Sequence, residues 1–383
     1  MKLDEITAHV WDAVVVGAGP SGSLAARELA RRSLYVLLVD QSFFPRSKVC
    51  GCCLSQPAVA LLKEAGLGTL PTHLGAKPLH EMVLAMRGKL VRFPLPEGFA
   101  LSREALDDAL VKSAETEGVH FLSQTRAGVG PVYGGKRTVI LRQGIREVEV
   151  QGRVVLAATG IGGTGMLPRG EFKVSMARHS RIGVSSICEK GPEFYSTGTI
   201  FMAYGEAGYV GLVRLEDGRL NIAAALDPKA VKRKGLAPLM KRILEQADFP
   251  LIPQFELLQW KGKTGLCSFT TPLAADRLFF LGDLAGYVEP FTGEGMAWAF
   301  ASALAAVPLA VEAVSRQETF SLSRKWNKIY RELLAERQRL CRSIAFVLRM
   351  PWASRVFFEV ISRKPDLIHP VIASINTPFE LNR

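Results

Sequence analysis

The sequence has 383 residues, of which 48% are hydrophobic and 22% are charged, enough for at least one full hydrophobic core. Its formal net charge is +12, and it contains no low-complexity tract or internal repeat. This composition excludes a disordered or fibrous protein. No nucleic-acid-binding motif accompanies the positive charge, so nucleic acid is not the expected partner.

The sequence also bears on cellular location. The first ten residues lack the apolar core of a signal peptide. The longest apolar run, Met296 to Val311, is shorter than the ~18 residues of a membrane span and contains Pro308. We therefore expect a cytoplasmic protein. Ser321 to Arg383 carries 12 Lys/Arg and 5 Asp/Glu, and such a tail favours peripheral contact with an anionic membrane or an acidic carrier protein.

A nucleotide-binding motif is predicted near the start of the chain. The apolar run 13–16 is typical of a buried parallel strand, and a helix pattern covers about 21–32. The turn between them, Gly17-Ala18-Gly19-Pro20-Ser21-Gly22, has the form G-x-G-x-x-G. Gly17 permits the tight bend, Gly19 lets a pyrophosphate approach the backbone, and Gly22 lets the helix pack closely.

Asp40 ends the second apolar strand, 34–39, where a carboxylate can bind two ribose hydroxyls. The loop that follows contains Arg46 and the run Cys50-Gly51-Cys52-Cys53. In a cytoplasmic chain these cysteines are expected to be thiols. No metal site is expected, because no second Cys or His pair follows at zinc spacing. FAD and NAD both fit the motif up to this point.

A second motif decides between these two cofactors. A strand at 277–281 leads into G-D-x-x-G-x-x-x-P-x-x-G-x-G at 282–295, and an Ala-rich helix follows from Met296. Asp283 can accept a hydrogen bond from a flavin ribityl hydroxyl, and Gly293 and Gly295 let backbone N–H groups approach the flavin. The helix N-terminus favours the anionic reduced flavin. The two motifs together predict FAD.

The string F-P-R-x-K-x-C-G-x-x-L-S at 44–55 and the two motifs resemble the geranylgeranyl reductase branch of the FAD-dependent oxidoreductases. That superfamily also contains monooxygenases of the para-hydroxybenzoate hydroxylase type and flavin-dependent halogenases. The resemblance implies that Arg46, Cys50 and Gly51 lie beside the isoalloxazine. It also implies that Arg103, after the N-cap Ser102, contacts the pyrophosphate, and that adenine lies against the backbone at Ala127.

Eighteen residues are therefore predicted to contact FAD, and Cys50 among them is also a candidate catalytic residue. These residues are Gly17, Gly19, Pro20, Ser21, Gly22, Asp40, Arg46, Cys50, Gly51, Arg103, Ala127, Gly282, Asp283, Pro290, Gly293, Glu294, Gly295 and Met296. Arg46, Lys48 and the helix start near Gly293 are expected to favour the thiolate of Cys50.

The expected fold class is α/β, with a Rossmann-type FAD-binding domain, an inserted α+β substrate domain built on a β-sheet, and a helical C-terminal tail. The FAD-binding domain is assigned to 1–73, 100–170 and 270–315, the substrate domain to 74–99 and 171–269, and the tail to 316–383. A second G-x-G-x-x-G, at 160–165, is not expected to bind a dinucleotide because helix-breaking residues follow at 166–170. Five aromatic residues of the substrate domain are candidates for either pocket or core, namely Phe194, Tyr195, Phe201, Tyr204 and Tyr209.

Three functions remain open. The favoured one is an NAD(P)H-driven monooxygenase of an apolar or aromatic small molecule, with the nicotinamide bound transiently because no second dinucleotide domain is predicted. The second is an alkene reductase of isoprenoids like the geranylgeranyl reductases. Cys50 supports it, but the Trp and Pro of their Y-x-W-x-F-P segment are missing at 208–214. The third is a non-catalytic, partner-assisting flavoprotein. A halogenase is not expected, since the W-x-W-x-I-P signature is absent.

Overall fold

The computed structural model describes residues 6–7, 9–163, 171–316 and 319–381. The strands in these ranges are β1 (Val10–Val16), β2 (Val36–Val39), β3 (Cys53–Leu54), β4 (Lys77–Pro78), β5 (Glu81–Met86), β6 (Lys89–Pro94), β7 (Phe99–Ala100), β8 (His120–Leu122), β9 (Arg126–Tyr133), β10 (Lys136–Gln143), β11 (Arg146–Ala157), β12 (Lys173–Met176), β13 (Ile182–Cys188), β14 (Thr199–Gly205), β15 (Gly208–Arg214), β16 (Leu220–Leu226), β17 (Lys261–Lys263), β18 (Ser268–Thr271), β19 (Ala274–Ala275), β20 (Leu278–Phe280) and β21 (Gly286–Tyr287).

The same ranges contain the α-helices α1 (Pro20–Ala30), α2 (Gln56–Glu64), α3 (Leu70–His73), α4 (Arg103–Thr116), α5 (Pro228–Lys234), α6 (Leu236–Gln246), α7 (Gly295–Ser315), α8 (Phe320–Arg349), α9 (Pro351–Arg363) and α10 (His369–Ile375). This mixed α/β architecture confirms the predicted fold class.

The sheet that positions the first motif has eight strands, and β1 lies at its centre. Six of them run in the order β19–β20–β11–β1–β2–β8, and β9 and β10 continue from β11 as an antiparallel extension. The pairs β1–β11, β1–β2, β2–β8 and β11–β20 are parallel. A central parallel strand is covered on both faces, which explains why the run 13–16 is uniformly apolar and buried.

Strand β11 is longer than the sequence predicts. Separate runs are expected at 147–150 and from 153 onwards, but the twelve residues from Arg146 to Ala157 form one strand. Its first part pairs with β10 and its last part with β1. Gly152 permits this continuity, since a Cβ atom there would lie 3.0 Å from Val14 Cγ2. The residues expected to break a second nucleotide motif, 166–170, lie outside the described residues.

A second sheet of seven strands faces the cavity described below. Its order is β17–β13–β16–β15–β14–β5–β6, with β5 and β14 parallel and the other pairs antiparallel. The predicted hairpin turn at 216–219 joins β15 to β16. The single basic helix predicted over 229–247 is wrong, because Gly235, with φ of +81°, separates α5 from α6.

The C-terminal part of the structure is helical, from α7 to α10. Helix α7 continues through Pro308 and is longer than the apolar run found in the sequence. Within the described ranges it is the helix with the length and hydropathy of a membrane span, and 67% of its most apolar window is buried inside the protein.

Candidate functional site

A cavity of about 1040 Å³ is lined by residues of both large sheets. Fourteen of the predicted FAD contacts line it, namely Gly17, Gly19, Pro20, Ser21, Asp40, Arg46, Cys50, Gly51, Arg103, Ala127, Asp283, Gly293, Gly295 and Met296. The glycine turn, the cysteine loop and the second motif, which are far apart in the sequence, therefore meet at one cavity.

The three glycines of the turn have different surroundings. Gly17 has a φ of +104°, and a Cβ atom there would lie 2.4 Å from the carbonyl oxygen of Ala158. A Cβ at Gly22 would lie 1.8 Å from the Gly17 carbonyl oxygen, so Gly22 lets α1 pack on the turn. A Cβ atom at Gly19 would make only ordinary van der Waals contacts, and its N-cap position leaves the first N–H groups of α1 free of a side-chain cap. This arrangement suits a phosphate at the helix N-terminus.

Two arginines lie directly beside Gly19. A Cβ atom there would be 3.8 Å from Arg46 Nη2 and 3.9 Å from Arg103 Nη2. Arg46 is buried, and its Nε has no hydrogen-bond partner in the described part of the chain. A diphosphate would satisfy that donor and neutralise both guanidinium groups. The residues present therefore fit the pyrophosphate of FAD.

The two arginines also have contacts of their own. Arg46 lies beside the glycine turn, and its implied place beside the isoalloxazine stays a prediction. Arg103 already has a partner at the start of α4, because Asp107 accepts from its Nε and Nη2 at 2.8 Å each. Asp107 also pairs with Arg46 at 3.0 Å. The sequence analysis missed Asp107, although an acid four residues after an arginine on a helix is a recognisable signal.

Asp40 is oriented by the backbone around it. Its Oδ2 accepts a hydrogen bond from Ala18 N and its Oδ1 from Ser42 N, both at 2.8 Å. The chain returns beside it at Thr125, whose N–H donates to the Asp40 carbonyl oxygen. Ala127 follows in the cavity wall. The ribose and adenine contacts of Asp40 and Ala127 stay predictions, and the two residues lie at the same end of the cavity.

The second motif packs directly on the first. A Cβ atom at Gly282, whose φ is +56°, would lie 2.6 Å from Ser21 Oγ. Gly282 N donates to Ser302 Oγ of α7 at 2.9 Å. Gly282 and Gly22 therefore do not line the cavity and act by permitting close packing. Gly293, with φ of +74°, has no atom within 4 Å of a would-be Cβ, which leaves its backbone open to a planar ring.

Asp283 follows Gly282 in the cavity wall. Burial raises the pKa of its carboxyl to about 6, and Arg103 and Lys48 oppose that shift. A carboxyl in this position can accept a hydrogen bond from a ribityl hydroxyl, as the sequence predicts. Pro290 lies in the 3₁₀ turn Pro290–Thr292 of the same motif, and its side chain is outside the described structure.

Glu294 does not line the cavity, which departs from its predicted role as an FAD contact. The buried carboxylate accepts from Arg337 Nη1 and from Cys341 Sγ, each at 3.0 Å, and both donors belong to α8. Arg337 also donates to the carbonyl oxygen of Ile375, and Ile375 does line the cavity. Glu294 therefore connects the start of α7 to the end of the chain.

Cys50 is half-buried in the cavity wall. A hydrogen bond from the Cys52 thiol and the charge of Arg103 lower the pKa of Cys50 to about 6, against the opposing effect of burial. The Cys52 N–H also donates to Cys50 Sγ, at 3.3 Å. The thiolate is favoured as expected, but the positive charge comes from Arg103 and not from Arg46 or Lys48. Burial and the charge of Cys50 raise the pKa of Cys53 to about 12.

The cysteine loop is attached to the seven-stranded sheet. Asn221 of β16 is buried and donates from Nδ2 to the Cys50 carbonyl oxygen at 3.2 Å. Ser102 caps α4 by accepting from Ala105 N, and Glu216 of the β15–β16 turn accepts from Ser102 N and Oγ. The same sheet thus fixes both Cys50 and the helix that carries Arg103.

The wall contributed by the seven-stranded sheet is mostly apolar. Its apolar residues include Met82, Ile200, Met202, Tyr209, Leu212, Val213, Ala224 and Ala225. Lys261 and Lys263 of β17 also line the cavity. Among the five aromatic candidates, Tyr209 lines the cavity, and the other four do not. Successive side chains on β14 point to opposite faces of the sheet. Met202 therefore lines the cavity, whereas Phe201 packs with Tyr195 in the core on the other face.

Comparisons with known proteins agree with this site. Residues 11–187 match the family model of an FAD binding domain. Digeranylgeranylglycerophospholipid reductase 2 of Methanothermobacter thermautotrophicus is 28% identical over 83% of each chain. Menaquinone reductase of Mycobacterium tuberculosis is 29% identical over 89% of this chain and 84% of its own.

The fold also matches solved structures. The flavin-dependent brominase Bmp2 has a TM-score of 0.78 at 16% identity, covering 96% of this chain and 94% of its own. The p-nitrophenol 4-monooxygenase PnpA of Pseudomonas putida has a TM-score of 0.77 at 14% identity, covering 96% and 98%. At this identity the likeness shows the fold.

The chain contains an FAD binding domain at 11–187 and is similar over most of its length to reductases, among them a geranylgeranyl diphosphate reductase. It is an enzyme, and its cofactor is FAD. The non-catalytic alternative of the sequence analysis is therefore wrong.

Two substitutions test the different roles of the glycines. We expect Gly22→Ala to destabilise the fold by several kcal/mol or to prevent folding, because its Cβ would overlap the Gly17 carbonyl. Gly19→Ala has room for its methyl group, so it should keep the thermal stability of the apoprotein and weaken FAD binding about tenfold or more. Thermal unfolding and flavin absorbance measure the two effects. Equal stability loss in both variants would contradict these roles.

The acidity of Cys50 gives a pH-dependent prediction for the FAD-free protein. Only the thiolate is alkylated, so labelling of Cys50 by iodoacetamide should rise as pH increases through about 6 and level off above it. Cys53 should stay unlabelled at neutral pH, because its pKa is about 12. Tandem mass spectrometry distinguishes the two sites in one sample. A midpoint for Cys50 near that of an ordinary thiol, ~8.5, would show that Arg103 and Cys52 do not act on it.

Proposed function

We propose that this enzyme reduces carbon–carbon double bonds of an isoprenoid lipid with electrons carried by FAD. The observation that carries the proposal is the acidic thiol of Cys50, which lies between the FAD-binding residues and an apolar wall. Relatives matched over most of the chain support it, since their names are those of reductases acting on digeranylgeranylglycerophospholipid and menaquinone.

Reduction of an alkene requires a hydride on one carbon and a proton on the other. FAD, once reduced, supplies the hydride. The proton must come from a group in the cavity, and Cys50 lines it together with Asp283 and Tyr287 of the second motif. Breaking the S–H bond as the new C–H bond forms leaves the thiolate, which the Cys52 N–H and Arg103 stabilise.

Arg103 controls whether the thiol holds its proton. Its charge lowers the pKa of Cys50, and a pyrophosphate bound between Arg103 and Arg46 would neutralise part of that charge. The pKa of Cys50 should therefore rise from about 6 when FAD binds. A thiol that is ionised in the apoprotein becomes a proton donor in the holoenzyme.

The apolar wall of the cavity also supports the proposed reductase function. Met82, Ile200, Met202 and Leu212 present hydrocarbon to the cavity on the side away from the glycine turn. Such a surface excludes water from the double bond and binds a methyl-branched chain by burial alone, at about 25 cal/mol per Å² of apolar area.

The same wall contains a segment in which this chain differs from the prenyl reductases that it resembles. The segment 208–214, which lacks their Trp and Pro, is β15, and Tyr209, Gly211, Leu212 and Val213 line the cavity. Smaller side chains at this position leave room for a bulkier chain or headgroup. This departure is also the reason to retain NAD(P)H-driven monooxygenation of an apolar or aromatic small molecule as the second candidate function.

The decisive assay is anaerobic. NADH, NADPH and reduced ferredoxin are each mixed with the holoenzyme, and we propose that a reduced nicotinamide bleaches the flavin by transient binding. With menaquinone or digeranylgeranylglycerophospholipid present, mass spectrometry should show the gain of hydrogen without oxygen, in the absence of O₂. A product formed only with O₂ and containing an added oxygen atom would instead establish the monooxygenase. If only reduced ferredoxin reduces the flavin, ferredoxin would be the electron donor and the proposed alkene reduction would stand.

The variant Cys50→Ser tests whether the thiol of Cys50 is catalytic or only fills space. The variant nearly keeps the side-chain volume, so FAD content and thermal stability should match wild type, while turnover falls at least a hundredfold because serine is a far weaker acid. Cys53→Ser is the matched control and should retain activity, since Cys53 carries a pKa of about 12. Wild-type turnover by Cys50→Ser would remove the thiol from the mechanism and favour hydroxylation.

A further inference from the structure

The junction of α8 and α9 exposes an unusual number of large apolar side chains. Six of them occur within 346–367, namely Phe346 (64% exposed), Val347 (37%), Trp352 (67%), Val356 (56%), Val360 (43%) and Leu367 (55%). We call these six residues the α9 surface. Scattered exposed apolar residues are ordinary, but a concentrated group indicates an interaction site.

Helix α9 is apolar on two opposite sides. Trp352, Val356 and Val360 recur every four residues and therefore form one stripe, which faces solvent. Phe358 and Ile361 are buried on the other side. The inner side is sufficient to attach the helix to the protein. The outer stripe contributes nothing to that packing.

The inner side of α9 leads to the cavity. Phe358 and Ile361 belong to one continuous apolar cluster with Met202, Tyr209 and Leu266, and the latter three line the cavity. The chain after α9 reaches the cavity as well, because Ile375 at the end of α10 is part of its wall. Apolar contacts thus connect the inner side of α9 to the cavity wall.

The segment that carries this surface is basic. Residues 339–367 contain six basic side chains and two acidic ones, which are Arg339, Arg342, Arg349, Arg355, Arg363, Lys364, Glu359 and Asp366. Three of the arginines are paired, Arg349 with Glu289, Arg355 with Glu206 and Arg363 with Glu359. Arg355 precedes Val356 and is half-exposed, and Lys364 follows the end of α9 in solvent. A helix with protruding Trp and Val residues, flanked by Arg and Lys, has the chemistry of an element that lies at a membrane interface.

We propose that the α9 surface docks this enzyme on an anionic lipid bilayer, with Trp352, Val356 and Val360 inserted among the lipids and the basic residues at the headgroups. An acidic carrier protein would complement the charge but would leave the apolar stripe uncovered, so the bilayer is the better fit. The purpose of this docking rests on the proposed function, because an isoprenoid lipid resides in the membrane. The docking itself is measurable without any substrate.

The test uses the full-length, FAD-loaded protein and vesicles of phosphatidylglycerol and phosphatidylcholine, with vesicles of phosphatidylcholine alone as reference. Wild type should float with the anionic vesicles, and the double variant Val356→Glu/Val360→Glu should bind them at least tenfold more weakly. The matched control is Ile145→Glu/Leu257→Glu, which alters two exposed apolar residues elsewhere and should bind like wild type.

Insertion is measured by tryptophan fluorescence. Trp352 is exposed, Trp260 is half-buried, and Trp11, Trp298 and Trp326 are buried, so doxyl-labelled lipids should quench a signal that Trp352→Phe removes. Flotation without quenching, binding that salt abolishes completely, or binding to an acidic carrier protein in place of vesicles would each overturn the proposal. So would unchanged flotation of the Val356→Glu/Val360→Glu variant.

A reaction assay in detergent separates this proposal from the proposed function. The double variant should bind FAD and turn over detergent-solubilised substrate like wild type, because none of its changes touches the cavity. Wild type that floats and inserts but reduces no isoprenoid would overturn the reductase and leave the docking in place. Loss of detergent activity in the variant, with flotation unchanged, would overturn the docking role.

Discussion

The structure depends on the contact that Gly22 makes with the carbonyl oxygen of Gly17. It brings α1 onto the end of β1 with no side chain between them. Ser21, in the same turn, then meets Gly282, and through it the start of the second motif. Two tight contacts, of Gly22 with a backbone carbonyl and of Gly282 with the Ser21 hydroxyl, therefore set the distance between the glycine turn and the second motif. Any side chain added at these points would move one motif relative to the other.

Ion pairs and other electrostatic interactions connect the remaining residues of the site. Asp107 holds Arg46 and Arg103 together, and Arg103 reaches Cys50 on the far side. The same arginine therefore acts on both the expected diphosphate position and the thiol. A diphosphate bound there and a proton on Cys50 are favoured together, which gives the enzyme a means of linking the protonation of its active site to cofactor binding.

Much of this arrangement could be predicted from the sequence, because it is local. The glycine turn, the capping Ser102 and the second glycine motif have fixed spacings that backbone geometry demands. The spacing of Asp107 from Arg103 is local as well, but its pairing with Arg46 depends on the fold of the loop after β2. The partners of Glu294 and Cys50 could not be predicted in this way, because Arg337 and Asn221 act from elements far along the chain. Which side chains of β14 face the cavity depends on the register of this strand in the sheet. The aromatic residues Phe201 and Tyr204 do not specify that register.

The connection from Arg337 to Ile375 and Glu294 has a consequence for biosynthesis. The cavity wall includes residues as far apart as 16 and 376, so a nascent chain cannot complete the wall before α10 has left the ribosome. Until then, the eight-stranded sheet must stay folded without a complete cavity. Contacts of such long sequence separation also slow folding.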